Sequence, residues 1–195
     1  MSVRNIPNED ASAMKTAGHT VFQTKMGFAG FAWGNAGITR LCLPERSRAA
    51  VERRLSDHGA TVDSPRAQAA ELVARIEAYF EGNTIDFSDV EVDLAGMESF
   101  RLDIYAAARR LRFGEAVTYG ELARRAGHEG MARETGVALG ANPVPLVVPC
   151  HRIVAAGERI GGFSAPGGSA TKQKMLELEG VQIGPPPSAQ QSFGF

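Results

Sequence analysis

Asn142-Pro143-Val144-Pro145-Leu146-Val147-Val148-Pro149-Cys150-His151-Arg152-Ile153-Val154 sets a cysteine beside a histidine at the end of an apolar run bracketed by prolines. Pro143, Pro145 and Pro149 each fix φ and remove a backbone donor, so the path to Cys150 is stiff and irregular. Such a segment holds one thiol in one place. A thiol attacks only as thiolate, and a fixed neighbouring base can produce one. Neighbours in extended chain point to opposite faces, so His151 need not touch the sulfur, and a water can bridge the two.

The chain around this segment has 195 residues, enough for one well-packed domain or two small ones. No apolar run approaches the ~18 residues of a membrane span. Residues 1–19 are polar and mixed in charge, without the apolar core of a signal peptide, and read as a flexible leader. There are two cysteines. Cys42 alternates with Leu41 and Leu43 and reads as a buried strand residue. Two isolated cysteines without an export signal speak against a disulfide scaffold and against a structural zinc site. They fit a reducing compartment, hence the cytoplasm, or the nucleus in a eukaryote. His19, His58 and His128 are scattered and read as plain surface residues. Residues 1–100 carry 10 basic and 14 acidic side chains, whereas residues 101–195 carry 11 basic and 8 acidic. A polyanionic partner should therefore meet the C-terminal half.

Three short alternating runs, Thr20–Thr24, Phe28–Trp33 and Gly37–Leu43, are separated by Lys25-Met26-Gly27 and Asn35-Ala36-Gly37. This predicts an antiparallel meander. Glu45 to Asp57 has helical period. Ser64-Pro65 can start another helix whose apolar stripe is Ala69, Leu72, Val73, Ile76 and Phe80. Thr84 to Leu94 alternates, as a strand returning to the meander or a connecting arm would. Ser99 to Arg112 is helical. Thr118 can cap a short helix, Tyr119 to Arg125, with Glu121 completing a capping box. After the turn Ala126–Gly130, Met131 to Gly140 forms a second helix stopped by Asn142-Pro143. Ser169 to Glu179 forms a last helix, and a Pro-rich tail, 184–195, reads as loose.

Two short helices joined by a glycine-containing turn make a helix-turn-helix, or simply a packed helical corner. A helix carrying Glu179 follows the thiol and can orient the imidazole, which gives a nucleophile, a base and an acidic orienter. The residues alone leave three chemistries open: a thiol acceptor acting on DNA, a helix-turn-helix regulator sensing through Cys150, and a cysteine hydrolase.

The run Asn142 to Val154 resembles the signature of the O6-alkylguanine-DNA alkyltransferases, the methylated-DNA–protein-cysteine methyltransferases. The similarity extends through Phe113–Ala123, Ala132-Arg133, Gly140–Pro143, Gly161-Gly162-Phe163-Ser164 and Leu178-Glu179-Gly180, about residues 97–183. The resemblance implies an α/β (α+β) protein. Residues 20–94 would form a small N-terminal domain with the β-meander and helices. Residues 95–183 would form a mainly helical, DNA-binding catalytic domain containing the helix-turn-helix. It implies stoichiometric, single-turnover transfer of an alkyl group from O6-alkylguanine in double-stranded DNA to Cys150, after the nucleotide is flipped out. The protein would be monomeric, without a membrane, metal or organic cofactor.

By the same resemblance, His151 acts through a water and is steered by Glu179, while Tyr119 donates a proton to the departing base. Asn142 braces the active-site turn. Arg133, on the second helix of a pair laid in the minor groove, fills the vacated stack, and Ala132 is one of the small residues that suit close approach. Thr118, Arg124 and Arg125 are the further DNA-facing candidates; the two arginines either touch phosphate or stay solvated. Phe163, Ser164, Val154 and Pro145 would wall the base pocket. Several positions depart from the family pattern. Tyr105 stands where a tryptophan is usual, and Leu111-Arg112-Phe113 replaces a common Ile-Pro pair. Phe163 lacks a tyrosine hydroxyl, and the loop Ala165–Gly168 is longer than in some members. No ligand set matches the zinc that some members carry in the N-terminal domain.

Overall fold

The computed structural model describes residues 18–56, 67–157 and 159–184. Strands β1 (Gly18–Thr24), β2 (Gly27–Trp33) and β3 (Ile38–Glu45) form an antiparallel sheet in the order β1-β2-β3, as the alternating runs predict. The period of two sends successive side chains to opposite faces. On one face Phe22, Phe31, Trp33, Leu41 and Leu43 join the main core. On the other, Ala32 and Cys42 meet Val51 and Leu55 of α1 (Arg48–Ser56). A Cβ on Gly30 would lie 2.6 Å from the Thr20 carbonyl oxygen and 3.0 Å from the Val51 and Leu55 side chains, so only glycine lets α1 rest this close to the sheet. Cys42 is a buried strand residue, and burial pushes its thiol up to about 11.

Two expectations fail here, and a third resolves to its alternative. The first strand begins at Gly18, and His19 is 3% exposed within it, so it is a sheet residue and not part of a leader or of the surface. The region Thr84–Leu94 is not a strand; it is irregular chain with one parallel bridge, Ile38 to Val92. Its aspartates explain this. Asp86 accepts from the Ser88 amide at 2.8 Å, and Arg109 binds the Ser88 and Val90 carbonyls, so side chains take backbone partners that a ladder would need. The connecting-arm reading describes it better. Expectations for residues 1–17, Asp57, His58, Ser64-Pro65 and the tail from 185 onward lie outside the described residues.

Helix α2 (Ala67–Phe80) lays Ala69, Leu72, Ile76 and Tyr79 onto the core, a stripe at helical spacing. Helix α3 (Ser99–Arg109) follows and buries Ile104, Tyr105, Ala107 and Ala108. Two-residue strands β4 (Val117–Thr118) and β5 (Ile153–Val154) pair in parallel, too short to be visible as periodicity. Between them lie α4 (Tyr119–Arg125) and α5 (Ala132–Gly140), the helix pair read from the sequence. Helix α6 (Gly168–Leu178) closes the described chain. Thr118 caps α4 by accepting from the Glu121 amide at 3.2 Å. The reciprocal half of the capping box does not form, because the Glu121 carboxylate turns instead to Arg124 and Arg125.

Tyr105 packs into this frame where bulk is needed, and its hydroxyl donates to the Ala138 carbonyl at 2.8 Å, tying α3 to the end of α5. Tyr105→Phe is expected to cost about 0.5–1.5 kcal/mol, because it leaves that carbonyl without its donor. Tyr105→Ala should cost about 3–5 kcal/mol by opening a cavity. Urea denaturation midpoints measure both.

Candidate active site

The segment after α5 is held by one side chain. Asn142 Oδ1 accepts from the Val144 amide at 3.0 Å, and Asn142 Nδ2 donates to the Val148 carbonyl at 2.9 Å and to Cys150 Sγ at 3.3 Å. Leu146 sits inside this loop at φ 78°, a left-handed conformation that a non-glycine residue holds only when its surroundings enforce it. Its side chain is buried, and the Pro143 carbonyl is anchored from outside by the Leu41 amide of β3 at 2.9 Å.

Cys150-His151-Arg152 then makes one 3-10 turn. Three residues per turn sends the three side chains in three directions, and this turn replaces the extended path considered above. The Cys150 thiol meets the backbone amide of His151 rather than its imidazole. His151 is fully buried, with Nε2 2.8 Å from Glu179 Oε1 and 3.3 Å from the Tyr79 hydroxyl. A carboxylate only accepts, so Nε2 carries the proton and Nδ1 is left as an acceptor. Nδ1 is buried and has no partner among the described residues.

Glu179 is where the site is tied together. Its carboxylate accepts from Arg152 Nε at 2.9 Å, the Tyr79 hydroxyl at 2.8 Å, the Gly114 amide at 3.1 Å and His151. Arg152 spends another nitrogen on the Leu111 carbonyl at 2.7 Å. Gly114 is at φ 78°, and a Cβ there would lie 3.2 Å from the Glu179 carbonyl oxygen, so the approach is built for glycine. Burial would raise the Glu179 carboxyl, but hydrogen bonds from His151 and Arg152 and the Arg152 charge outweigh it and bring it down to about 2. Burial lowers His151 against the pull of Glu179, so the imidazole rests neutral. Burial also raises the Cys150 thiol, which Asn142 and Lys172 oppose. The thiol therefore needs a base.

Tyr119 opens α4 and donates to the Gly162 carbonyl at 3.3 Å. Lys172 of α6 is fully buried. Its ammonium donates to the Ile153 and Gly162 carbonyls and lies 3.5 Å from the Tyr119 hydroxyl. Burial pulls it down to about 8. A cleft of about 590 Å³ runs from Cys150 past Tyr119, Phe163 and Ser164 to Ala132 and Arg133. Arg133 is exposed on the first turn of α5 and makes no hydrogen bond or ion pair among the described residues.

The sequence candidates do not all meet in that cleft. Pro145 lines a second, smaller one, on which Cys150, Phe163 and Ser164 also border. Val154 is buried in β5 opposite Thr118 and lines neither. Arg124 is bound to Glu121, and Arg125 to Glu121 and Glu115 at 2.7 Å, so neither guanidinium is free. Three residues at the site carried no assigned role in the sequence reading: Tyr79, Arg152 and Lys172. Two had a signal. Tyr79 continues the Leu72–Ile76 stripe, and Lys172 shares a stripe with Met175, Leu176 and Glu179, polar groups where a core residue is expected. Among the described residues no group of three His, Cys, Asp or Glu side chains could hold a metal ion, and no helix is long and apolar enough to cross a membrane.

Known proteins resemble this chain in sequence and fold. Residues 99–181 match the family described as 6-O-methylguanine DNA methyltransferase, DNA binding domain. The methylated-DNA–protein-cysteine methyltransferase of Mycolicibacterium paratuberculosis is 41% identical over 117 residues, 60% of this chain and 68% of that protein. That of Sulfolobus acidocaldarius is 34% identical over 163 residues, 84% and 93% of the two chains. The crystal structure of Mycobacterium tuberculosis OGT in complex with DNA superposes with a TM-score of 0.68 at 32% identity, covering 84% of this chain and 93% of that one.

The buried relay fixes how stability should depend on acid. His151 binds its proton more weakly folded than unfolded, so stability should start to fall as pH drops below 6.5, its ordinary value. Glu179 is depressed, so its contribution is complete above 4.5 and is lost as pH falls toward about 2. Glu179→Gln should cost about 3–5 kcal/mol at neutral pH by stranding the buried Arg152. It should also remove the lower step from a series of urea titrations between pH 7 and 3.

Proposed function

The chain belongs to the methylated-DNA–protein-cysteine methyltransferase family, and we propose that it repairs O6-alkylguanine in double-stranded DNA by moving the alkyl group once to Cys150. The observation that carries this reading is the fully buried His151. Its Nε2 is spent on Glu179, its Nδ1 has no partner among the described residues, and Cys150, the residue before it, opens on the Arg133 cleft.

The helix pair α4–α5 lies against the minor groove, and the target nucleotide rotates out of the stack, at a cost of a few kcal/mol. Arg133, with no partner to give up, enters the gap, while Ala132 and Gly136 allow close approach. Arg124 and Arg125 would have to exchange Glu121 and Glu115 for phosphate, so their contribution is small. The base enters the cleft between Tyr119 and the Phe163-Ser164 loop.

A water between Sγ and Nδ1 passes the thiol proton to His151, and Glu179 stabilises the imidazolium that forms. The thiolate pair attacks the alkyl carbon, the carbon–O6 bond breaks, and its electrons go to guanine. Tyr119 gives its proton to the base, which departs neutral, and the Lys172 ammonium beside the phenol oxygen steadies the charge left there. The product is a thioether. A thiolate is a poor leaving group from an unactivated carbon, so the relay's water does not cleave the thioether and each molecule acts once. Two free thiols favour a reducing compartment, the cytoplasm. A monomer suffices, since every group named comes from one chain. We divide the labour between residues 20–94, which brace the site, and 95–183, which carry it.

Mass spectrometry tests the acceptor. One equivalent of an O6-methylguanine duplex should add a single methyl to the Cys150 peptide. Cys150→Ser should abolish transfer and keep DNA binding, whereas methylation at Cys42 or repeated turnover would sink the reading. Arg133→Ala should slow repair of duplex by about tenfold or more while sparing reaction with free O6-benzylguanine, which needs no flipping. Equal losses on both would remove Arg133 from that role.

A further inference from the structure

Tyr79 belongs to α2, far in sequence from the thiol, yet its hydroxyl is buried in the relay. It donates to Glu179 Oε1 at 2.8 Å, the oxygen that also faces His151 Nε2 at 2.8 Å, and it lies 3.3 Å from that nitrogen. Nε2 carries a proton, so the hydroxyl has only the carboxylate to give its own proton to. Oε1 therefore gathers three residues: the Tyr79 hydroxyl, His151 Nε2 and the Arg152 guanidinium, whose Nη2 lies at 2.9 Å. The ring is fixed from several sides: its edge meets Phe80 at 5.1 Å between centroids, Phe87 at 5.9 Å and Phe113 at 6.1 Å.

We propose that Tyr79 is a positioning residue of the transfer reaction: by sharing Glu179 Oε1 with His151 Nε2, it sets how strongly the carboxylate draws on the imidazole. This rests on the reading of His151 as the base. Without the hydroxyl, Oε1 would give more of its charge to Nε2–H, make the imidazole a stronger base and hold its proton in mild acid, where a protonated His151 cannot accept from the thiol. The hydroxyl divides that charge and so adds to the burial that keeps the ring neutral. The other charged and titratable groups around the ring are Arg152 from its own turn, Lys172 and Glu179 from α6 and the segment that ends it, and Cys150. None of them binds Oε1 except Arg152, which also engages Oε2.

Tyr79→Phe in the full chain keeps the ring and removes the hydroxyl. The His151 Nε2–H proton resonance should move downfield, as its bond to Oε1 strengthens. The acid limb of the transfer rate against pH, read with an O6-methylguanine duplex, should move up by roughly half a unit to one unit. Phe80→Leu disturbs the same packing without touching Oε1, and should lower the melting temperature while leaving both readouts in place. A Tyr79→Phe resonance that stays put or moves upfield overturns the proposal. Failure of the underlying reading looks different: His151→Ala would then transfer methyl as fast as the unsubstituted chain.

Discussion

The buried pairing of Arg152 with Glu179 is the constraint on which the rest of the site hangs. A charge pair removed from water is costly unless its donors and acceptors find partners, and here every Arg152 nitrogen and both Glu179 oxygens do. Arg152 reaches Glu179 with two nitrogens and the Leu111 carbonyl with a third. Glu179 collects Tyr79, Gly114 and His151 as well. The pair thereby draws α2, the end of α3, the turn before β4, the 3-10 turn and the end of α6 to one point. A hydrophobic substitute could match its stability, but it could not fix the tautomer of His151.

The thiol is positioned by different means. Proline and a single asparagine do for the 142–150 loop what a sheet would do elsewhere, satisfying backbone groups without regular structure. Asn142 is useful because it presents both an acceptor and donors from one short side chain. The same amide that closes the loop points a proton at Sγ, and so partly offsets the burial that disfavours a thiolate.

Much of this could be read from residue order. The meander, Cys42 in a strand, the pair α4–α5 and the helix before Glu179 follow from periods of two and 3.6 and from turn residues. What could not be read has a physical cause in each case. Thr84–Leu94 alternates like a strand, but Asp86 and its neighbours spend the backbone on local turns. The Cys150–Arg152 turn is three residues long, below the reach of any periodicity. Glu121 was legible as a capping residue but not as the partner of two arginines one turn on. Tyr79 and Lys172 sit on apolar stripes, where a polar side chain reads as noise until the groups it meets are known. The relay draws its members from distant parts of the chain, and only the Cys-His-Arg core is contiguous.

The parallel ladder of β4 and β5 has a consequence for the order in which the protein assembles. Two residue pairs join Val117-Thr118 to Ile153-Val154, and both helices and the whole proline segment lie in the loop they close. So small a ladder returns little for the entropy of closing such a loop, so it forms only after those elements have already found their places. Tyr119 follows one strand directly and Cys150 precedes the other by a single turn. The phenol and the thiol of the proposed reaction are thus brought into register by a late, long-range contact. On the proposed reading, a newly made or partly unfolded chain carries Cys150 as an ordinary thiol and becomes reactive toward alkyl groups only when folding is complete.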